Sequence, residues 1–262
     1  MSNRITTVFN KLKAENKKAL ITFITGGDPD IETTEKLILA MEEAGADIIE
    51  IGIPFSDPIA EGIVIQKASE RALIAGCTVD KLFDMVERLR KKTNIPLLFM
   101  TYANPIHAYG KERFMAKCKA VGIDGIIVPD TPFEENDEFK HECSRHNISL
   151  VLLMAPTSGE RAAKIALETQ GFLYCVSSLG VTGVRSDINT NIDELIAQVR
   201  KVSDIPCAVG FGVSTPAQAR EMAGISDGVI VGSAIVKLVG EFGRDSVSYV
   251  SDFVAEMKHG VM

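Results

Sequence analysis

Two acids and a group of glycine-containing loops carry the chemistry that this sequence offers. Glu50 interrupts the apolar run DIIEIGI at 47–53. Side chains of an extended chain alternate between faces, which sets Ile48, Glu50 and Gly52 on one side and Ile49, Ile51 and Ile53 on the other. The isoleucines suit a layer covered by helices. Glu50 is therefore expected to point into the interior, with Gly52 leaving open space above it. An unpaired carboxylate buried there is costly and its pKa rises, which suits a group that gives and takes protons near neutral pH. A structural ion pair with a lysine or arginine elsewhere is the competing reading. Glu61, in IPFSDPIAEG, is the second acid; taken alone it reads as a solvated loop carboxylate. Asp57, before Pro58, reads as a turn former through side chain–backbone bonds.

Three loops, SSLGVTGV (177–184), VGFGVSTP (209–216) and VGSAIV (231–236), follow the last apolar runs. Gly232 and Ser233 end one run and lead into a helical pattern. Gly210 and Gly212 precede Thr215-Pro216, a cap followed by proline at the first helical position. Glycine admits close backbone approach, and free N–H groups at a helix start hold an oxyanion, so phosphate is the expected ligand. Ordinary turn formation is the alternative. No GxxxxGK[ST] loop is present, so a nucleoside triphosphate is not implied. No lysine stands at the end of an apolar run, so Schiff-base chemistry is not expected. Four histidines are present (His107, His141, His146, His259), and the i, i+5 spacing of His141 and His146 makes a poor zinc pair. No metal site is expected.

The elements that must position these residues recur along the chain as an apolar β-branched run, a turn and a helical pattern. The runs are ALITFIT (19–25), DIIEIGI (47–53), IPLLFMTY (95–102), GIIVPD (125–130), ISLVLLMA (148–155), GFLYCVS (171–177), IPCAVGF (205–211) and DGVIVG (227–232). Near-continuous apolar runs fit parallel strands covered on both faces. Helical spacing joins Leu37, Ile38, Met41 and Ala44, ended by Gly45, and Val79 to Leu89, capped by Thr78; Val247, Val250, Val254 and Met257 mark the last helix. Ile5, Val8, Phe9 and Leu12 form an additional N-terminal helix suited to plugging a barrel floor. The expected fold is α/β, a single (β/α)8 TIM barrel over 1–262 with that extra helix and long loops after strands two and six, the first holding a short helix from Val64 to Ala75. Periodicity alone leaves an open doubly wound sheet as the alternative.

Composition agrees with a soluble globular chain: 262 residues, 46% apolar and 24% charged. A net charge of −7 argues against a nucleic-acid or anionic-membrane surface, so attraction for an anion must be local. The N-terminal stretch lacks the apolar core of a signal peptide, and no apolar run is long enough to cross a bilayer. Cys77, Cys118, Cys143, Cys175 and Cys207 are scattered without a CxxC pair, which suits buried free thiols and a cytoplasmic location.

The segment IEIGIPFSDPIAEG (49–62), with TGGDP (25–29), TYANP (101–105), SLGVTG (178–183), GFGVS (210–214) and VGSAIVK (231–237), resembles the tryptophan synthase alpha chain family, in its order and over essentially the whole chain. The resemblance implies retro-aldol cleavage of indole-3-glycerol phosphate to indole and glyceraldehyde 3-phosphate. By it, Glu50 matches the glutamate that protonates the departing indole carbon and takes the proton of the adjacent hydroxyl. Glu61 matches the acid that accepts the indole N–H. Phosphate falls to Gly183, Gly212, Gly232 and Ser233, and the indole side to Phe23, Ile65, Met100, Tyr102, Ile127, Tyr174 and Phe211. Thr182, on the strand-six loop, would close over substrate and meet Glu61. No cofactor is implied for this chain. The implied partner is a pyridoxal-phosphate beta subunit in an α2β2 complex, met by Pro54, Asp57, Pro58, Asn104 and Asp130. The chain departs from the family's commonest residues at Glu61, usually aspartate, and Ile63, usually proline. A free-standing indole producer and a catalytically silent phosphate-ligand binder are the rival readings.

Overall fold

Apolar runs that alternate with helices bury both faces only as parallel strands, and the computed structural model pairs them so. It describes residues 3–159, 161–176, 192–210 and 212–262. The strands are β1 (Ala19–Thr25), β2 (Ile48–Gly52), β3 (Leu97–Met100), β4 (Gly125–Ile127), β5 (Ser149–Val151), β6 (Leu153–Met154), β7 (Leu173–Val176), β8 (Cys207–Gly210) and β9 (Gly228–Val231). Their order, β5-β4-β3-β2-β1-β9-β8-β7-β6, is sequential around β1, which pairs with both β2 and β9. That order excludes the open doubly wound sheet.

Nine strands stand where eight runs are expected because the fifth run divides. β5 pairs with β4 and β6 pairs with β7, while the intervening Leu152 gives its N–H to Thr169 Oγ1 at 2.9 Å. The two ends of the ladder are thus one bent stretch of chain, and the sheet curls into the barrel.

The helices are α1 (Arg4–Ala14), α2 (Ile31–Glu43), α3 (Ile63–Ile74), α4 (Val79–Leu89), α5 (Ala103–Tyr109), α6 (Lys111–Val121), α7 (Asp137–His146), α8 (Arg161–Glu168), α9 (Ile192–Val199), α10 (Pro216–Ile225), α11 (Ser233–Phe242) and α12 (Ser246–Val261). Thr78 caps α4 through Lys81 N, and Gly45 follows α2 at φ +107°, a backbone angle that suits glycine. Inside the barrel Ile21, Ile48, Leu98, Ile127, Val151, Ala208 and Ile230 meet Ile5, Phe9 and Leu12 of α1, which plugs the floor as expected. Outward-facing Leu20, Ile49, Ile51, Leu97 and Val209 join the helix-covered layer.

At the floor, an aspartate immediately before a strand clamps the start of the neighbouring one. Asp47, before β2, accepts Leu20 N at 2.7 Å and Lys258 Nζ at 2.6 Å. Asp124, before β4, accepts Leu97 N at 3.0 Å, Arg4 at 2.9 Å and Arg90 at 2.8 Å. Asp227, before β9, accepts Cys207 N at 2.9 Å and Arg200 at 3.3 Å. At the mouth, α3 and α11 enclose Phe23: Ile65, Ala68 and Val236 pack with it. Arg71 of α3 forks onto buried Asp28 at 2.8 and 2.7 Å and fastens the helix to the loop after β1. The expected long loop after the sixth run, 178–191, lies outside the described residues.

Candidate active site

β2 delivers Glu50 to the interior, opposite Phe23 of β1 and Leu98 of β3. The carboxyl group is 0% exposed, and neither oxygen has a hydrogen-bond partner among the described residues. Burial alone pushes its pKa up to about 8. The described residues supply no ion pair for it. The space expected above Gly52 is filled: a Cβ there would stand 2.6 Å from Phe23 Cζ, so the missing side chain accommodates the Phe23 ring.

Glu61 is not the solvated loop acid that its local sequence suggests. The loop after β2 folds inward, and burial raises the Glu61 pKa to about 7. Tyr174 of β7 feels the charges of both Glu50 and Glu61, which hold its phenol further toward the neutral form after burial has raised it. Gly210 makes room for this tyrosine, since a Cβ there would lie 2.7 Å from the Tyr174 hydroxyl. Gly210 thus serves the ring.

A narrow cleft opens at this end of the barrel. Phe23, Glu61, Ile65, Met100 and Tyr174 line it together with Gly212, Gly232 and Ser233, bringing the two expected sub-sites into one space. Ala60, Pro129, Leu153, Val213, Ser214, Ile230 and Ala234 also line it and were not singled out from sequence. Val213, Ser214 and Ala234 lie within two residues of the glycines, Ala60 precedes Glu61, Leu153 and Ile230 lie on strands and Pro129 just follows β4, and these neighbourhoods are the signal that could have found them. Glu50 does not reach the wall of the cleft. Ile127 lies in the interior cluster, and Tyr102 stands behind the wall with its hydroxyl accepting Ala60 N at 3.0 Å. Thr182, Gly183 and Phe211 lie outside the described residues.

The two helix starts at the cleft differ in their readiness for an anion. At α10, Thr215 and Gln218 form a reciprocal cap, and Gln218 Oε1 also accepts Ser214 N at 2.9 Å. At α11, Gly232 offers no side-chain cap, and the first helical bond along it runs from Val236 N to Gly232 O. Among the described residues no side-chain cap closes the first turn, an arrangement that suits phosphate.

Of the residues expected at a partner surface, Asp57 and Asn104 are exposed, Pro58 is half-buried and Pro54 is buried. Asp130 is half-buried and its Oδ1 accepts Ala103 N at 3.0 Å, at the start of α5. Among the described residues no cluster of three or more His, Cys, Asp or Glu could hold a metal, and no helix is long and apolar enough to cross a membrane. All five cysteines are buried and free.

A family model described as tryptophan synthase alpha chain matches residues 9–261. The tryptophan synthase alpha chain of Thermoanaerobacter sp. is 48% identical over 258 residues, covering 98% of each chain. That of Geotalea uraniireducens is 48% identical over 261 residues, covering 99% of this chain and 98% of the relative. Among solved structures, an Aquifex aeolicus protein superposes with a TM-score of 0.91 at 39% identity, with 99% of both chains covered. A chain of Mycobacterium tuberculosis tryptophan synthase superposes at 0.90 with 37% identity, over 100% of this chain and 99% of that one. The resemblance read from six short motifs thus extends to the whole barrel: the chain belongs to the tryptophan synthase alpha chain family.

Proposed function

We propose that this chain cleaves indole-3-glycerol phosphate to indole and glyceraldehyde 3-phosphate, acting as one barrel domain over 1–262 in the cytoplasm. The observation that carries the reading is the Glu50 carboxyl, without a partner among the described residues and fully buried beside a cleft that ends on a helix start with no side-chain cap. With its pKa near 8, Glu50 is a neutral acid at pH 7 and, once its side chain turns from the interior to the cleft, protonates the ring carbon that carries the glycerol chain. The resulting carboxylate takes the proton of the adjacent side-chain hydroxyl. The carbon–carbon bond then breaks, its electrons returning through the ring to the indole nitrogen as the aldehyde forms. Glu61, poised near pKa 7, accepts the indole N–H in its ionised form and offsets the positive charge of the protonated ring.

Phe23, Ile65, Met100 and Tyr174 hold the indole, with Ile127 supporting the layer below, while Gly212, Gly232 and Ser233 take the phosphate. Gly183, Thr182 and Phe211 receive their roles from the family alone. The chain needs no cofactor of its own for this chemistry. Its indole passes to a pyridoxal-phosphate beta subunit in an α2β2 assembly, met at Pro54, Asp57, Pro58, Asn104 and Asp130. Ile59 on the same loop and Ile63 at the start of α3, 77% and 63% exposed, support a docking surface there.

The test is indole release from indole-3-glycerol phosphate, with and without beta subunit, for wild type and Glu50→Gln. Unchanged turnover in the variant would remove Glu50 from the mechanism. No turnover of wild type beside a competent partner identifies a silent binder, and fast turnover without one identifies a free-standing enzyme.

A further inference from the structure

Tyr102 follows β3 and immediately precedes α5, with only 3% of its surface exposed. Its hydroxyl oxygen accepts the backbone N–H of Ala60 at 3.0 Å, and Ala60 is the residue before Glu61. Other bonds made by the 57–61 stretch are local: Ile59 N to Asp57 O at 2.9 Å, Glu61 N to Pro58 O at 3.3 Å, and Gln66 Nε2 to Glu61 O at 2.7 Å. Among the described residues, the Tyr102 bond is the one that ties 57–61 to a neighbouring strand end.

The tyrosine is itself held. The Phe55 ring lies against it with centroids 5.3 Å apart, and the next backbone N–H, that of Ala103, is received by Asp130 Oδ1 at 3.0 Å. Three strand ends are linked in this way, from Asp130 after β4, through Tyr102 after β3, to the Glu61 loop after β2. Glu61 lines the cleft and Tyr102 does not, so the phenol stands behind the acid.

We infer that Tyr102 is a positioning residue for Glu61: by holding the Ala60 amide, its hydroxyl fixes where the second acid projects into the cleft. The inference rests on the reading of Glu61 as the acid that meets the indole N–H. A glutamate has one more rotatable bond than the aspartate usual in the family, so a fixed backbone on its N-terminal side matters more. Tyr102→Phe removes the hydroxyl and keeps the ring on Phe55, so the loop loses its tie without losing its packing.

The experiment measures indole release with beta subunit supplied, for Tyr102→Phe, Glu61→Gln and the double variant, the weak ones at high enzyme concentration. A positioning role lowers kcat of Tyr102→Phe by about tenfold or more with KM unchanged, because small displacements of a reacting group are costly. The same change then adds no further loss to Glu61→Gln, since the group it positions is already gone. An equal loss in both backgrounds, a raised KM with unchanged kcat, or full activity of Tyr102→Phe would overturn the inference. Full activity of Glu61→Gln would instead overturn the reading of Glu61, and the single variant reveals it.

Discussion

The floor and the mouth of this barrel treat buried acids in opposite ways. At the floor, Asp47, Asp124 and Asp227 each accept an N–H at the start of a neighbouring strand and pair with a cation. At the mouth, Glu50 has no partner among the described residues and Glu61 is held mainly by burial. A paired acid locks strand starts together. An unpaired one costs stability and holds a proton at neutral pH, which is what proton transfer requires. Stability is invested at one end of the barrel and spent at the other.

The sharpest break of this contrast is Glu50→Gln. Indole release should fall by roughly 10²–10⁴-fold, the usual contribution of a general acid–base, while circular dichroism stays unchanged. At the floor, Asp124→Ala should lower unfolding free energy in urea by about 3–5 kcal/mol, because two arginines lose their partner. Turnover per folded molecule should stay intact in that variant. The two substitutions together separate chemistry from architecture.

A smaller effect has the opposite sign. Unfolded, Glu50 ionises at an ordinary 4.5; folded, it does so at about 8. Between those values the folded chain keeps a proton that the unfolded chain has lost, so this group makes stability fall as pH rises from 4.5 to 8. Glu50→Gln removes that slope and should stabilise the protein by on the order of 2–4 kcal/mol at pH 8 and above. Equal stability of the two proteins at every pH would contradict an unpaired buried acid. The mildest test is the pH profile of kcat/KM. Activity should rise as Glu61 ionises near 7 and fall as Glu50 loses its proton near 8, and Glu61→Gln should abolish the acid limb.

Several of these features were legible before any coordinates. Period-two alternation sent Glu50 inward, helical spacing identified α1 as a plug, and Thr215-Pro216 marked the start of α10. The inward position of Glu61 was not legible, because the acid sits in an irregular loop with no period to set its face, and that loop is tied to the distant Tyr102. The space above Gly52 was misread for a related reason: Phe23, on another strand, fills it. The split of the fifth strand depends on Thr169 taking the Leu152 amide, a bond invisible to periodicity. The resemblance supplied the indole substrate, which no pattern of apolar residues could name.

The sequence by itself determined that the strands are covered on both faces, where several helices begin and that Glu50 lies inside, because apolar runs, alternation, helical period and capping act over a few neighbouring residues. Only the tertiary structure decided that Glu50 has no partner among the described residues, that Glu61 is half-buried at the cleft and that Tyr102 reaches Ala60. Each of those depends on residues far apart in the chain, brought together by the closing of the barrel.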